Sequence, residues 1–134
     1  MRLPAKARRG FTLIELLIVM VILGLLASLV APTMFSKVDS SKRNTAVAQM
    51  QMLATSLDAF RLDVGKYPDN LDELLRSDRR GWDGPYLPRE LPLDPWGAPY
   101  VYRFPGQASA YDLLSLGADG QEGGEEDNAD ITNR

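Results

Sequence analysis

Residues 11–31 read FTLIELLIVMVILGLLASLVA, and only Thr12, Glu15 and Ser28 interrupt the apolar run. At ~1.5 Å per residue, a helix of this length spans about 30 Å, the thickness of a bilayer hydrocarbon core. Four basic residues precede it (Arg2, Lys6, Arg8 and Arg9) with no acid among the first ten. This asymmetry predicts a cytoplasmic N-terminus and a chain that continues on the far side of the membrane. A secretory signal peptide cut near Ala27-Ser28-Leu29 shares the basic start and apolar run. Against it stand the length of the run and the acid inside it.

That acid, Glu15, is the most informative residue of the chain. An ionised carboxylate within a bilayer costs roughly 2.5–3.5 kcal/mol, so it calls for a partner. No cationic side chain lies within one helical turn of it. Cleavage between Gly10 and Phe11 would create one, because the new α-amino group of Phe11 lies four residues away on the same helix face. In a staggered neighbouring copy, that amine would meet Glu15 directly. A Glu that snorkels or stays protonated near the helix end is the plain alternative.

The segment Arg9-Gly10-Phe11-Thr12-Leu13-Ile14-Glu15-Leu16 resembles the prepilin-type leader motif of type IV pilins and type II secretion pseudopilins. The resemblance implies that residues 1–10 are a leader removed by a prepilin peptidase, which cuts after Gly10 and methylates Phe11. It also implies that Glu15 is needed for assembly.

Beyond Pro32 the pattern changes while helix continues. Ala46, Met50, Leu53, Leu57 and Phe60 recur at spacings of 4, 3, 4 and 3, one stripe of an amphipathic helix over residues 32–62. Helix from 11 to 62 would be ~78 Å long. Its first half must be covered by lipid, by other copies, or by both. Pro32 lacks an N–H and predicts a kink, with Gly24 a second weak point. In the resembled family the stretch between the corresponding Gly and Pro loosens inside the filament, which makes Gly24 and Pro32 a candidate hinge. The polar residues 36–44 precede the buried stripe, in a region that is solvated or meets other subunits.

Residues 63–134 form a small, turn-rich region. Val64-Gly65-Lys66-Tyr67-Pro68 ends the rod, and Asn70-Leu71-Asp72-Glu73 has capping-box spacing, with Leu71, Leu74 and Leu75 as the buried face of a short helix. Turns at 81–85 and 94–97 precede a strand at 100–104, and 111–116 reads as its hairpin partner. The aromatic residues here read as packing between sheet and helix, with a sugar-binding surface as the alternative. A domain this small needs a disulfide, a metal or a large docking element, and the second half of the long helix can supply the last. Zero Cys removes disulfides, and zero His removes imidazole zinc sites and Ser-His-Asp triads. No nucleophile and base converge in the sequence, so an enzyme is not expected.

Oxygen chemistry remains. The loop 116–130, LGADGQEGGEEDNAD, joins carboxylates to Gly turns, as suits calcium. It fails the EF-hand pattern, and an acidic disordered tail is equally compatible with its composition. Asp94-Pro95-Trp96-Gly97-Ala98-Pro99-Tyr100 and Ser115-Leu116-Gly117-Ala118-Asp119-Gly120 resemble signatures of the major pseudopilin family of type II secretion, protein G. The likeness then runs from Arg9 to Asn133. It implies an α+β, type IV pilin-like fold: a long N-terminal helix packed on a small domain with a short helix, an antiparallel β-hairpin or sheet and a calcium loop. Carried across, the calcium ligands are the side chains of Asp119 and Glu126 and the carbonyls of Leu116, Gln121 and Gly124. Asp127 is able to substitute for Glu126, and Asp130 either binds the ion or organises the loop.

The function so implied is the main structural subunit of a periplasmic pseudopilus. It polymerises from the inner membrane and helps drive folded exoproteins across the outer membrane. Its partners would be copies of itself in a helical filament, the prepilin peptidase, minor pseudopilins and an inner-membrane assembly platform. An adhesion or motility pilin, or a membrane-anchored calcium- or carbohydrate-binding module, are the alternatives. The overall numbers hide this segmentation: 15 basic and 18 acidic residues give −3, and mean hydropathy is −0.19. Removing the four basic residues of the leader leaves −7, and the tail from Asp119 onward carries −5. With no basic patch beyond the leader, nucleic acid is not an expected partner.

Overall fold

The computed structural model describes residues 2–4 and 10–133. Lys6, Arg8 and Arg9 of the expected leader lie outside the described residues. The chain divides into two units, Met1–Lys37 and Val38–Arg134. One helix, α1, runs over Leu13–Val64. In the first unit its apolar side chains are exposed from Leu13 through Phe35. An 18-residue window there reaches a mean hydropathy of 2.9 with none of it buried, long and apolar enough to cross a membrane.

In the second unit the stripe of 4- and 3-residue spacings becomes the core. Ala46, Met50, Leu53, Leu57 and Phe60 are all buried, joined by Tyr67, Leu74, Leu87, Tyr100, Tyr111, Leu113 and Ile131. This shared core is why the division falls at residue 37 and not where the helix ends. α1 stops at Gly65, whose φ of 98° admits glycine readily and whose N–H bonds to Arg61 O at 2.8 Å, capping the last turn.

The expected short helix is a single 3-10 turn, Leu71–Leu74. Asn70 Oδ1 accepts the Glu73 N–H at 3.3 Å, but the return bond lands one residue early: Asp69 N–H donates to Glu73 Oε2 at 2.7 Å. Of its expected buried face only Leu74 is fully buried; Leu71, at the first position of the turn, and Leu75, at its C-cap, are partly buried against the core. Arg79 bonds both Glu73, through Nε to Oε1, and Asp69, at 2.5 Å. Burial pushes the Glu73 carboxyl up, but the bonds from Arg79 and the Asp69 N–H outweigh it and hold it below the ordinary 4.5. A depressed carboxyl contributes stability above its unfolded pKa and loses it as pH falls through the folded value. Glu73→Gln is therefore expected to lower Tm at pH 7, by roughly 1 kcal/mol of stability, with the deficit closing as the pH is taken below 4. Thermal melts across pH 7 to 3 check this.

The sheet is antiparallel, in the order β1 (Val101–Arg103), β2 (Asp112–Ser115), β3 (Ile131–Thr132). Val101 pairs with Leu114 and Arg103 with Asp112, which is the expected hairpin. The third strand comes from the acidic tail, with Ser115 opposite Ile131. Two residues carry no readable periodicity, so no pattern in the sequence marks this strand. As the central strand, β2 is buried at all four positions, including Asp112 and Ser115. Asp94, also buried, ties the turn at 94–97 to it. Its Oδ1 accepts the N–H groups of Trp96 and Ala98, and its Oδ2 accepts the Ser115 hydroxyl at 2.9 Å.

The aromatic side chains are spent on this packing. Tyr67 meets Tyr111 edge-on at 4.8 Å and Phe60 meets Tyr86 at 5.6 Å. Polar ends find partners inside: Trp82 Nε1 donates to Glu73 O at 2.8 Å, Tyr102 to Pro68 O at 2.6 Å, and Tyr100 to Gln49 Oε1. Burial, with Asp94 nearby, pushes the Tyr100 phenol up to about 12, so it remains a neutral donor near pH 7.

Candidate functional site

Two regions hold the residues singled out by sequence, one in each unit. At the start of α1, Thr12 is the residue before the first helical turn, and its Oγ1 accepts the Glu15 N–H at 3.2 Å. Thr12-Leu13-Ile14-Glu15 is thus an N-terminal cap of the Thr-x-x-Glu kind, a pattern already legible in the sequence. It places the Glu15 carboxylate in the first turn, where the helix dipole favours negative charge. Phe11 and Glu15 border one shallow groove together with Leu16, Ile18 and Val19, in keeping with their four-residue spacing. A Cβ added at Gly10 or at Gly24 would meet nothing within 4 Å, so packing within this chain demands neither glycine.

α1 continues through Gly24 and Pro32. The hydroxyls on either side of Pro32 bond back to backbone: Ser28 Oγ to Leu25 O at 2.7 Å, and Thr33 Oγ1 to Val30 O at 2.8 Å. Such bonds compete with the helical ladder beside a proline that already lacks its donor. They mark the same stretch that Gly24 and Pro32 bound.

The acidic loop folds back on itself through left-handed residues at Gly117, Gly120, Gly123, Gly124 and Glu126. The two arms touch. A Cβ at Gly117 would stand 2.9 Å from Ala129 O, and one at Gly124 would stand 2.5 Å from Asn128 O. Ala118 N–H donates to Asp127 O at 3.1 Å, and Glu126–Asn128 forms a 3-10 turn. Asp119 Oδ1 accepts the Gln121 N–H at 3.1 Å, and Asp130 Oδ2 accepts the Gly123 N–H at 3.0 Å. The other Asp130 oxygen is buried without a hydrogen-bond partner. Glu122 is drawn aside to Arg103. Asn133 closes the tail onto β2, its N–H donating to Leu113 O and its Oδ1 accepting the Leu113 N–H.

Among the described residues no three acidic side chains gather where they would hold a metal ion. Asp119 and Glu126, with the carbonyls of Leu116, Gln121 and Gly124, are spread along the folded loop. Desolvation, then the Asp39 carboxylate, raise the Asp127 carboxyl above its ordinary range, while Arg43 opposes the shift. Arg43 Nη1 also donates to Ala129 O at 3.0 Å. The stretch 36–44 is therefore only partly the solvated segment expected, since Asp39, Lys42 and Arg43 are half-buried. The signal was available: Asp39 and Arg43 continue the spacing of Ala46 and Met50, so the core stripe of α1 has a charged extension that faces the loop.

Comparison with known proteins gives two family models. One, described as type II secretion system (T2SS), protein G, matches residues 33–134. The other, described as the prokaryotic N-terminal methylation motif, matches residues 5–31. The type II secretion system core protein G of Pseudomonas aeruginosa is 41% identical over 136 residues, covering 96% of each chain. That of Vibrio cholerae is 40% identical over 136 residues, with 96% of this chain and 92% of the relative covered. Among solved structures, the crystal structure of the major pseudopilin from the type 2 secretion system of enterohaemorrhagic Escherichia coli aligns with a TM-score of 0.62 at 33% identity. The alignment covers 74% of this chain and 91% of that one.

Proposed function

This chain belongs to the type II secretion system protein G family, with its α+β, type IV pilin-like fold, and from that membership we propose how it works as the major subunit of a pseudopilus. The observation that carries the reading is the start of α1. There Phe11 and Glu15 share one groove at the head of a helix whose apolar side chains are exposed. An exposed apolar surface of that extent is a surface for lipid or for other copies.

Removal of residues 1–10 after Gly10 frees the Phe11 amine, which is then methylated. In the membrane the basic leader sits in the cytoplasm and residues 38–134 in the periplasm. On assembly, residues 11–31 leave lipid for a filament core made of neighbouring copies. The Phe11 amine of one copy meets the Glu15 carboxylate of the next, neutralising both charges in low dielectric and setting the stagger. The stretch between Gly24 and Pro32 yields during that transfer. The chain serves as a brick and performs no catalysis; the peptidase, minor pseudopilins and an inner-membrane platform act on it. Growth of the filament helps to drive folded exoproteins across the outer membrane.

The loop 116–130 is read as a structural calcium site. Its donor set fits: every donor is a hard oxygen, and Asp130 has a buried oxygen without a partner. Asp119 and Glu126, with Asp127 as substitute, and the carbonyls of Leu116, Gln121 and Gly124 would hold the ion. Calcium bound there would neutralise carboxylates that otherwise repel across the folded loop.

Mass spectrometry of the mature N-terminus tests the assembly reading. The expected species begins at N-methyl-Phe11. A chain that keeps Met1, or one that begins near Ala31, overturns it.

A further inference from the structure

The 127–130 segment of the loop rests on α1 through a hydrogen bond that spans 86 positions of sequence. Arg43 Nη1 donates to the carbonyl of Ala129, and that carbonyl lies between two carboxylates with different neighbours. Asp127, two residues before it, accepts the Ala118 N–H at its backbone oxygen and so ties the two arms of the loop together. Asp130, the next residue, accepts the Gly123 N–H through one oxygen and keeps the other buried without a partner. The guanidinium therefore holds the arm of the loop that carries both carboxylates.

We propose that Arg43 is a positioning residue for the cation site of the 116–130 loop: from α1 it fixes the Ala129 carbonyl and so holds the arm that carries Glu126 against the arm that carries Asp119. The proposal rests on the calcium reading above. Its physical basis is the cost of ordering the loop. The segment is rich in glycine, and Glu126 holds a φ of 53°, where side chains are disfavoured, so an unanchored loop has many states to lose when an ion binds. A bond to α1 moves that loss into folding and leaves less of it to binding. The opposing effect is the charge of Arg43, which repels a cation. Asp39, one turn earlier on the same face, brings the opposite charge to the same corner and offsets it. Positioning then outweighs repulsion.

The test is calcium affinity, measured by competition with a chromophoric chelator, on the processed full-length chain in detergent. Arg43→Ala is expected to weaken calcium binding about tenfold or more, the range typical of groups that orient metal ligands. Its loop in EDTA should be cut faster by protease between residues 117 and 130. Arg43→Lys keeps the charge and one donor without the planar fork, and should bind calcium more tightly than Arg43→Ala but less tightly than wild type. If Arg43→Ala does not fold, Arg43→Lys carries the test alone. Binding that is unchanged or tighter in a folded variant overturns the proposal. Asp119→Ala separates the two claims. Wild type that binds no calcium, or Asp119→Ala that binds as wild type does, brings down the calcium reading itself. Binding lost in Asp119→Ala but unaltered in the Arg43 variants brings down the positioning role only.

Discussion

Glu15→Ala is expected to be cleaved after Gly10 like wild type and to form no filaments, with secretion lost alongside. The structure makes this substitution a clean one. The cap at the head of α1 uses the main-chain N–H of residue 15, bonded to Thr12 Oγ1, and alanine keeps that N–H. The helix start therefore survives, and failure to assemble is not a consequence of fraying. What goes is the partner of the Phe11 amine. Within a filament core an uncompensated charge of this kind costs about 3–5 kcal/mol, which lowers association at each contact by two orders of magnitude or more. The same change makes the helix cheaper to keep in lipid, because a membrane carboxylate is removed. Both effects hold the subunit in the membrane. Immunoblots of the processed form and electron microscopy of sheared filaments provide the readouts. Normal filaments from this variant would refute the pairing.

Calcium withdrawal is the second large effect. With the ion at a hundredfold excess over its Kd, binding contributes about 2.7 kcal/mol. For a domain of this size each kcal/mol moves Tm by about 4–8 °C, so EDTA is expected to lower the melt by about 10–20 °C. Asp119→Ala should melt at the EDTA temperature and ignore added calcium. The variant has a second consequence to separate, since Asp119 Oδ1 also accepts the Gln121 N–H. Asp119→Asn keeps that acceptor while removing the charge. It should retain the melt of the ion-free wild type and lose most of the calcium response. An identical melt with and without EDTA in wild type removes the metal from the account.

The parts legible in advance are those with long or repeated signals. The apolar run ahead of Pro32, the 4-3-4-3 stripe through Phe60, the glycine at the helix end and the hairpin of 101–103 with 112–115 each draw on several residues that agree. Elements set by one or two residues were not legible. The third strand, Ile131–Thr132, is too short to have a period, and its pairing with β2 is made by the end of the chain. The contact of Arg43 with Ala129 joins positions far apart in sequence, and a polar stretch such as 36–44 carries no mark of which member is turned inward. Thr12 is the exception: its capping pattern was present and was overshadowed by the acid three residues later.

The sequence by itself determined which stretch of α1 is apolar on every side and which carries the buried stripe. The basic N-terminal charge, apolar length, the isolated acid and the lack of Cys and His are properties of composition and order, and each restricts the chemistry before any folding is considered. The tertiary structure alone decided that the charged turn of α1 at Asp39 and Arg43 receives the C-terminal loop, and that the tail returns to complete the sheet. These depend on distances between segments, which chain order does not encode, and they follow only once the buried stripe has packed against β2 and brought the two ends of the domain together.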